Sequence, residues 1–176
     1  MAHLSKIQFI EKLKEIKLLA LDVDGVLTDD SIYFGPDGFE MKKFNISDGL
    51  FIVLAMRAGL EVAIVSGRYS KATDTRMNDL GVKHVLQGYK DKVEMITPLL
   101  DKLMISFDQV AFVGNEILDI KLAKKCGLSI AVADSCEELI EVVDYVTEHD
   151  GGKGAVREVI ELYFKAIETD PKGLLK

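Results

Sequence analysis

Asp22 and Asp24 stand one residue apart in KLLALDVDGVLTDD, residues 17–30, directly behind an apolar run and directly ahead of Gly25. If the extended conformation continues to Asp24, both carboxylates share a face, and two close carboxylates repel unless a cation lies between them. That demand implies a hard divalent ion, and Mg²⁺ is the expectation. A calcium loop of the EF-hand type is excluded: Val26 falls on the next ligand position, Leu27 on the obligatory glycine and Tyr33 on the terminal glutamate.

Two further apolar runs end in polar tips. Val62-Ala63-Ile64-Val65 is followed by Ser66-Gly67-Arg68, and Val110-Ala111-Phe112-Val113 by Gly114-Asn115-Glu116 with Asp119 close behind. Lys92 lies in the first turn of a predicted helix, the wrong end of the dipole for a cation by about 0.3–1 kcal/mol, so a functional reason competes with that of an ordinary surface lysine. Collected together, these residues form a phosphoryl-transfer set. A carboxylate nucleophile, a divalent ion and fixed cations supply attack, charge neutralisation and positioning for an in-line displacement at phosphorus.

The elements that must hold this set alternate as βαβα. Leu18-Leu19-Ala20-Leu21 is the kind of run a strand buried on both faces of a parallel sheet needs, and ligands collect outside the carboxyl ends of such strands. Residues 62–65, 84–87, 110–113 and 129–132 continue the sheet, with an edge strand at 145–146. Helices are predicted at 4–16, where Ile7, Ile10, Leu13 and Ile16 share a face, from Ser47 or Asp48 as N-cap to Gly59, from 68 to 80, from 91 to 103, at 137–143 and from 152 to 167. Residues 31–44, SIYFGPDGFEMKKF, read as a projecting β-hairpin turned by Gly35-Pro36-Asp37-Gly38. The expected fold is a doubly wound, Rossmann-like, mainly parallel α/β sheet with right-handed crossovers. Neither the interval from Asp24 to Ser66 nor that from Ser66 to Lys92 has room for a cap domain, so the site of a monomer should be open.

The chain of 176 residues, 48% hydrophobic, suits one domain, expected over 1–170 with a flexible tail at 171–176. A net charge of −7 argues against nonspecific binding of nucleic acid or an anionic membrane, though not against a small anionic substrate. Cys126 and Cys136 lack CxxC spacing and companion histidines, which points to a structural role. No signal peptide or apolar stretch of spanning length is present, so a cytoplasmic protein is expected. Gly151-Gly152-Lys153-Gly154 lacks the GxxxxGK[ST] pattern and is not read as a nucleotide site, although Lys153 and Arg157 beside it could meet an anionic ligand.

The order and identity of these residues resemble the haloacid dehalogenase (HAD) superfamily of phosphatases, whose four motifs correspond to DVDGV, Ser66, Lys92 and GNEILD. Within it, DVDGVLTDDSIYFGPDGFEMKKFNISDG, VSGRYS, QGYKDK and GGKGAVREV resemble the capless subfamily of 3-deoxy-D-manno-octulosonate (KDO) 8-phosphate phosphatases. The resemblance implies that Asp22 attacks phosphorus to give an aspartyl-phosphate. It implies that Asp24 protonates the leaving sugar oxygen and then deprotonates water, that Ser66 binds phosphoryl oxygens, and that Lys92 neutralises charge. It implies Mg²⁺ on Asp22, the Asp24 carbonyl and the fourth motif at Asn115. Gly67 and Arg68 would touch substrate, and the hairpin at 31–44 would assemble a homotetramer in which Lys153 or Arg157 reaches the substrate carboxylate of a neighbour's site. The expected activity is hydrolysis of a keto-deoxy sugar acid phosphate on the way to a surface polysaccharide such as lipopolysaccharide.

One departure bears on substrate. The fourth motif of these phosphatases usually reads GDDxxD, whereas here Asn115 and Glu116 replace two aspartates and Asp119 remains. The GNE variant is similar to phosphatases of nine-carbon keto-deoxy sugar 9-phosphates and to the phosphatase-like domain attached to sialic-acid-activating synthetases. Two alternatives therefore stand beside the eight-carbon substrate: a nine-carbon one, and a weakly catalytic oligomerisation domain that partners a sugar-activating synthetase. A phosphoreceiver domain is disfavoured because its aspartate would lie on a later strand.

Overall fold

The computed structural model describes residues 3–89 and 91–175. Six strands form one sheet: β1 (Leu18–Leu21), β4 (Glu61–Ser66), β5 (His84–Gln87), β6 (Val110–Gly114), β7 (Leu128–Ala131) and β8 (Tyr145–Val146). Its order is β5-β4-β1-β6-β7-β8, and every neighbouring pair is parallel. The chain moves outward from β1 through β4 to β5 and then returns to the other side of β1 as β6. The order reverses at β1, so the crevice beyond its carboxyl end lies between the diverging crossovers, where a ligand is expected.

Both faces of this sheet are dry. In β1, Leu19 and Leu21 face one core and Leu18 and Ala20 the other, and the same alternation holds for Val62 and Ile64 against Ala63 and Val65 in β4. Helices α1 (Lys6–Leu13), α2 (Ile46–Arg57), α3 (Lys71–Leu80) and α7 (Ala155–Ala166) cover the first face. Helices α4 (Lys92–Leu103), α5 (Ile120–Ala123) and α6 (Glu137–Ile140) cover the second. Cys126 and Cys136 are half-buried against this second core, and burial pushes the Cys126 thiol up to about 12, so it stays protonated.

The hairpin is formed by β2 (Tyr33–Phe34) and β3 (Glu40–Met41), paired antiparallel as a separate two-stranded sheet. Its flanks leave Ile32, Tyr33, Phe34, Phe39 and Met41 exposed.

Three local expectations are corrected. In α1, Ile7 is 76% exposed, while Phe9 is buried and stacks on Tyr145 with ring centroids 4.1 Å apart, which rotates the packed face away from Ile7. The N-cap of α2 is Asn45, whose Oδ1 accepts from Ser47 N (2.8 Å) and Asp48 N (3.3 Å), not Ser47 or Asp48. Asp48 instead accepts from Arg157 N at 2.8 Å and so caps α7, which starts at Ala155 behind a glycine that offers no side chain. Where a flexible tail was expected, Pro171–Leu174 forms a 3₁₀ turn held by Arg57 Nη1 donating to Leu174 O (2.8 Å). The outermost positions of the expected domain and tail, Met1, Ala2 and Lys176, lie outside the described residues.

Candidate active site

After β1 the chain bends so tightly that Val26, Leu27 and Thr28 all donate to Val23 O, at 3.2, 2.9 and 3.2 Å. Gly25 takes φ +78°, and a Cβ there would lie 1.9 Å from Asn115 Nδ2. Glycine is thus required twice, for the backbone angle and for the approach of Asn115. The Gly-rich stretch near the C-terminus braces this turn from outside. Gly152 N donates to Val26 O (2.9 Å), and a Cβ on Gly151 would fall 1.7 Å from the Gly25 carbonyl oxygen. The glycines of GGKG serve backbone-to-backbone contact.

At the end of β1, buried Asp22 meets Lys92, whose Nζ lies 2.9 Å from Asp22 Oδ1 and 2.5 Å from Asp119 Oδ1. The first turn of α4 aims Lys92 inward, which accounts for a cation at the unfavourable end of a helix. Burial of Lys92 opposes its charge, but Asp22 and Asp119 together outweigh burial and raise its pKa. Burial pushes the Asp22 carboxyl up to about 7, with Lys92 pulling the other way and Asp119 adding to the rise. Ser66, at the end of β4, is buried, with its hydroxyl donating to Arg68 O (3.1 Å).

Asp24 points elsewhere, into a network that reading the sequence missed. Lys42, just past β3, donates to Asp24 Oδ1, and Arg68 Nε donates to Oδ2 at 3.2 Å. Arg68 is held in turn by Glu40, with Nη1 and Nη2 at 2.6 and 3.3 Å from its two oxygens, and Ser70 Oγ donates to Glu40 at 2.7 Å. The bond to Arg68, then that to Ser70, keep the Glu40 carboxyl below its usual range. Glu40 and Lys42 flank Met41 at the end of a two-residue strand, too short for their shared face to be read from the sequence.

The oxygen donors fit a hard cation. Asn115 Oδ1 is buried and has no hydrogen-bond partner among the described residues, an orphaned acceptor that a cation would satisfy. Asp119 is not available: its Oδ1 is on Lys92, and its Oδ2 accepts from Asn115 N (2.9 Å) and Glu116 N (3.1 Å). Glu116 is exposed and accepts from Ile117 N at 3.0 Å. No three His, Cys, Asp or Glu side chains among the described residues are grouped for a metal.

These groups line one pocket of about 250 Å³, bounded by Asp22, Asp24, Ser66, Arg68, Lys92 and Asn115, with Gly67 also on its wall. Asp30 and Glu116 add negative charge at the margin, and burial, then Asp24 and Glu116, push the Asp30 carboxyl up. Lys153 and Arg157 are not brought to this pocket. They line a separate hollow with Asn45, Ser47 and His149, where Lys153 pairs with Asp150 (2.9 Å) and Arg157 with Glu161 (2.8 Å) while lying over the Phe51 ring.

A parallel α/β sheet with an aspartate pair at the switch-point strand, a buried lysine and an orphaned amide oxygen defines a hydrolase of the haloacid dehalogenase-like class. A haloacid dehalogenase-like hydrolase family model matches residues 85–160. The chain is 46% identical over 157 residues to 3-deoxy-D-manno-octulosonate 8-phosphate phosphatase KdsC of Escherichia coli K12, covering 89% of this chain and 84% of that protein. The chain belongs to the haloacid dehalogenase-like hydrolase family and, within it, to the phosphatases, which are phosphoric monoester hydrolases. Its fold matches a crystal structure of the KDO 8-phosphate phosphatase of Yersinia pestis with TM-score 0.89 and 41% identity, covering 91% of this chain and 86% of that one. It also matches the Moraxella catarrhalis phosphatase, solved with magnesium, phosphate and KDO, with TM-score 0.88 and 40% identity over 90% of this chain and 91% of that one.

Proposed function

We propose that this protein is a Mg²⁺-dependent phosphatase that hydrolyses 3-deoxy-D-manno-octulosonate 8-phosphate through an aspartyl-phosphate on Asp22. The observation that carries the reading is the division of labour between the two aspartates: Asp22 is held by Lys92 at the pocket floor, and Asp24 is turned toward the mouth by Lys42 and Arg68. The names borne by relatives of more than 40% identity supply the substrate.

Asp22 attacks phosphorus, forming an O–P bond as the sugar C–O–P oxygen departs with its electron pair. Asp24 gives that oxygen a proton, then takes one from the water that cleaves the acyl-phosphate and returns Asp22. Lys92 neutralises charge on Asp22 and the transferring phosphoryl group, and Ser66 with the Gly67 backbone fixes the phosphoryl oxygens. Asp22, the Asp24 carbonyl and Asn115 would hold Mg²⁺, which when bound neutralises phosphoryl charge. Arg68 serves the sugar acid at the pocket rim.

The exposed apolar surface of the hairpin at 31–44 supports assembly into a homotetramer, in which Lys153 and Arg157 of one copy would serve a neighbour's site. No helix among the described residues is long and apolar enough to cross a membrane. The role proposed is that of a cytoplasmic enzyme that supplies lipopolysaccharide synthesis. A second reading rests on Asn115 and Glu116 standing where aspartates are usual: a nine-carbon sugar 9-phosphate as substrate, or an assembly domain for a sugar-activating synthetase. Phosphate release from the eight-carbon and nine-carbon sugar phosphates, with Mg²⁺ and with EDTA, decides. Preference for the eight-carbon ester supports the proposal, preference for the nine-carbon ester replaces its substrate, and inertness of the folded, Mg²⁺-supplied protein toward both favours the assembly domain.

A further inference from the structure

The second arm of the hairpin has two faces with opposite chemistry. Phe39 and Met41 are exposed, whereas Glu40 and Lys42 turn inward, and the Lys42 side chain is only 1% exposed. A buried lysine forfeits hydration, and an apolar side chain of similar length would serve folding as well or better. Its position is instead accounted for by what it holds. Lys42 takes Asp24 Oδ1 and Arg68 takes Oδ2, so both carboxylate oxygens are fixed, and Glu40 and Ser70 lock the guanidinium that makes the second contact.

We propose that Glu40 and Lys42 are positioning residues for proton transfer by Asp24, which makes the hairpin part of the active site of its own subunit; the inference rests on the phosphatase reading above. Lys42 is the fixed post. Arg68, whose side chain is 36% exposed at the pocket rim, is the contact that opens when substrate arrives, freeing Asp24 Oδ2 for the leaving oxygen. Oδ2, once released from the guanidinium, takes up a proton from solvent; the P–O bond to the sugar then breaks, the bond from Asp22 to phosphorus forms, and that proton passes from Asp24 to the departing alkoxide. The hydrogen bonds of Lys42 and Glu40 go to Asp24, Arg68 and Ser70 and not to Asp22, so losing either residue should matter in proportion to how much the leaving group needs a proton.

That dependence is the test. Lys42→Met, Lys42→Arg and Glu40→Gln would be compared with the parent in pre-steady-state phosphorylation by KDO 8-phosphate, whose alkoxide needs a proton, and by 4-nitrophenyl phosphate, whose phenolate does not. Positioned proton transfer contributes about 10²–10⁴-fold. Lys42→Met is expected to lose roughly 10²-fold in the rate of phosphorylation by the sugar ester with little change in the half-saturating concentration, and less than about a tenth of that loss with the aryl ester, with Lys42→Arg restoring part of it. Glu40→Gln should show the same pattern more weakly and carries the comparison should Lys42→Met melt early. Equal losses on the two esters, or none, would overturn the proposal, because a structural or metal-binding role does not discriminate between leaving groups. A parent protein inert toward both esters would overturn the phosphatase reading itself, an outcome distinct from variants that keep the parent's ratio.

Discussion

Replacing Gly151 by alanine should damage the site from outside it. The new Cβ would lie 1.7 Å from the Gly25 carbonyl oxygen and 2.6 Å from its carbon, and both contacts are with backbone, which cannot swing aside as a side chain can. Either the Gly151 loop lifts or the turn carrying the Asp24 carbonyl is pushed toward Asn115. Overpacking of this kind costs about 1–3 kcal/mol. For a chain of this size each kcal/mol lowers Tm by about 2–4 °C, so a fall of about 2–12 °C is expected by calorimetry. Because the displaced turn carries the carbonyl proposed to bind the metal, Mg²⁺ affinity measured by titration calorimetry should weaken by about 10–100-fold, the usual consequence of disturbing the support of a metal ligand. Gly173→Ala is the control, since its added Cβ meets nothing within 4 Å and should shift stability by less than about 0.5 kcal/mol. A Gly151→Ala protein with parental Tm and parental Mg²⁺ affinity would refute the bracing argument.

Asn115→Leu keeps the branching at Cγ and removes the orphaned oxygen, so Mg²⁺ affinity should fall at least about ten-fold; unchanged affinity would remove Asn115 from the metal site. The Asp22 carboxyl, raised from 3.8 to about 7 in the metal-free protein, favours the folded state while protonated, a contribution fully present below pH 3.8 and lost as pH rises through about 7. The Tm gain on adding Mg²⁺ should therefore be larger at pH 8 than at pH 5, and Asp22→Asn should flatten that difference. His149, raised above its ordinary 6.5 by its bond to Glu158, contributes stability below pH 6.5 that is lost as pH rises through its folded value, so His149→Gln should remove part of the Tm decline between pH 6 and 8. Phe34→Asp places a charge on an exposed apolar flank of the hairpin and should yield a smaller species by light scattering.

What the sequence disclosed follows from how local each signal was. The strands of the sheet announce themselves as apolar runs because both faces are buried, and the polar residues at their carboxyl ends follow from the fold class, so Asp22, Ser66 and Asn115 could be named from the sequence, whereas Lys92 stood out only as a cation in the first turn of a helix. Helix boundaries were less legible where the partner is remote. Asp48 reads as a cap for its own helix, yet it caps α7, 109 residues away in sequence, a pairing that no local pattern carries. Ile7 satisfied the helical period, but the stacking of Phe9 on Tyr145 chose a different face. Glu40 and Lys42 were hidden for a similar reason: they sit in a hairpin whose strands are two residues long, too short for alternation to be read, and their partners Arg68 and Asp24 are 28 and 18 residues away. The GGKG segment drew attention as a phosphate loop because its composition is visible, whereas its contact with the Gly25 carbonyl is not.

The central claim is covalent catalysis by Asp22. Rapid acid quench of the Mg²⁺-supplied protein during turnover of KDO 8-phosphate, followed by peptide mass spectrometry, tests it directly. The account predicts a phosphoryl increment on the peptide that contains Asp22, formed no more slowly than phosphate is released and absent in Asp22→Asn; phosphate release at the parental rate by Asp22→Asn would contradict it.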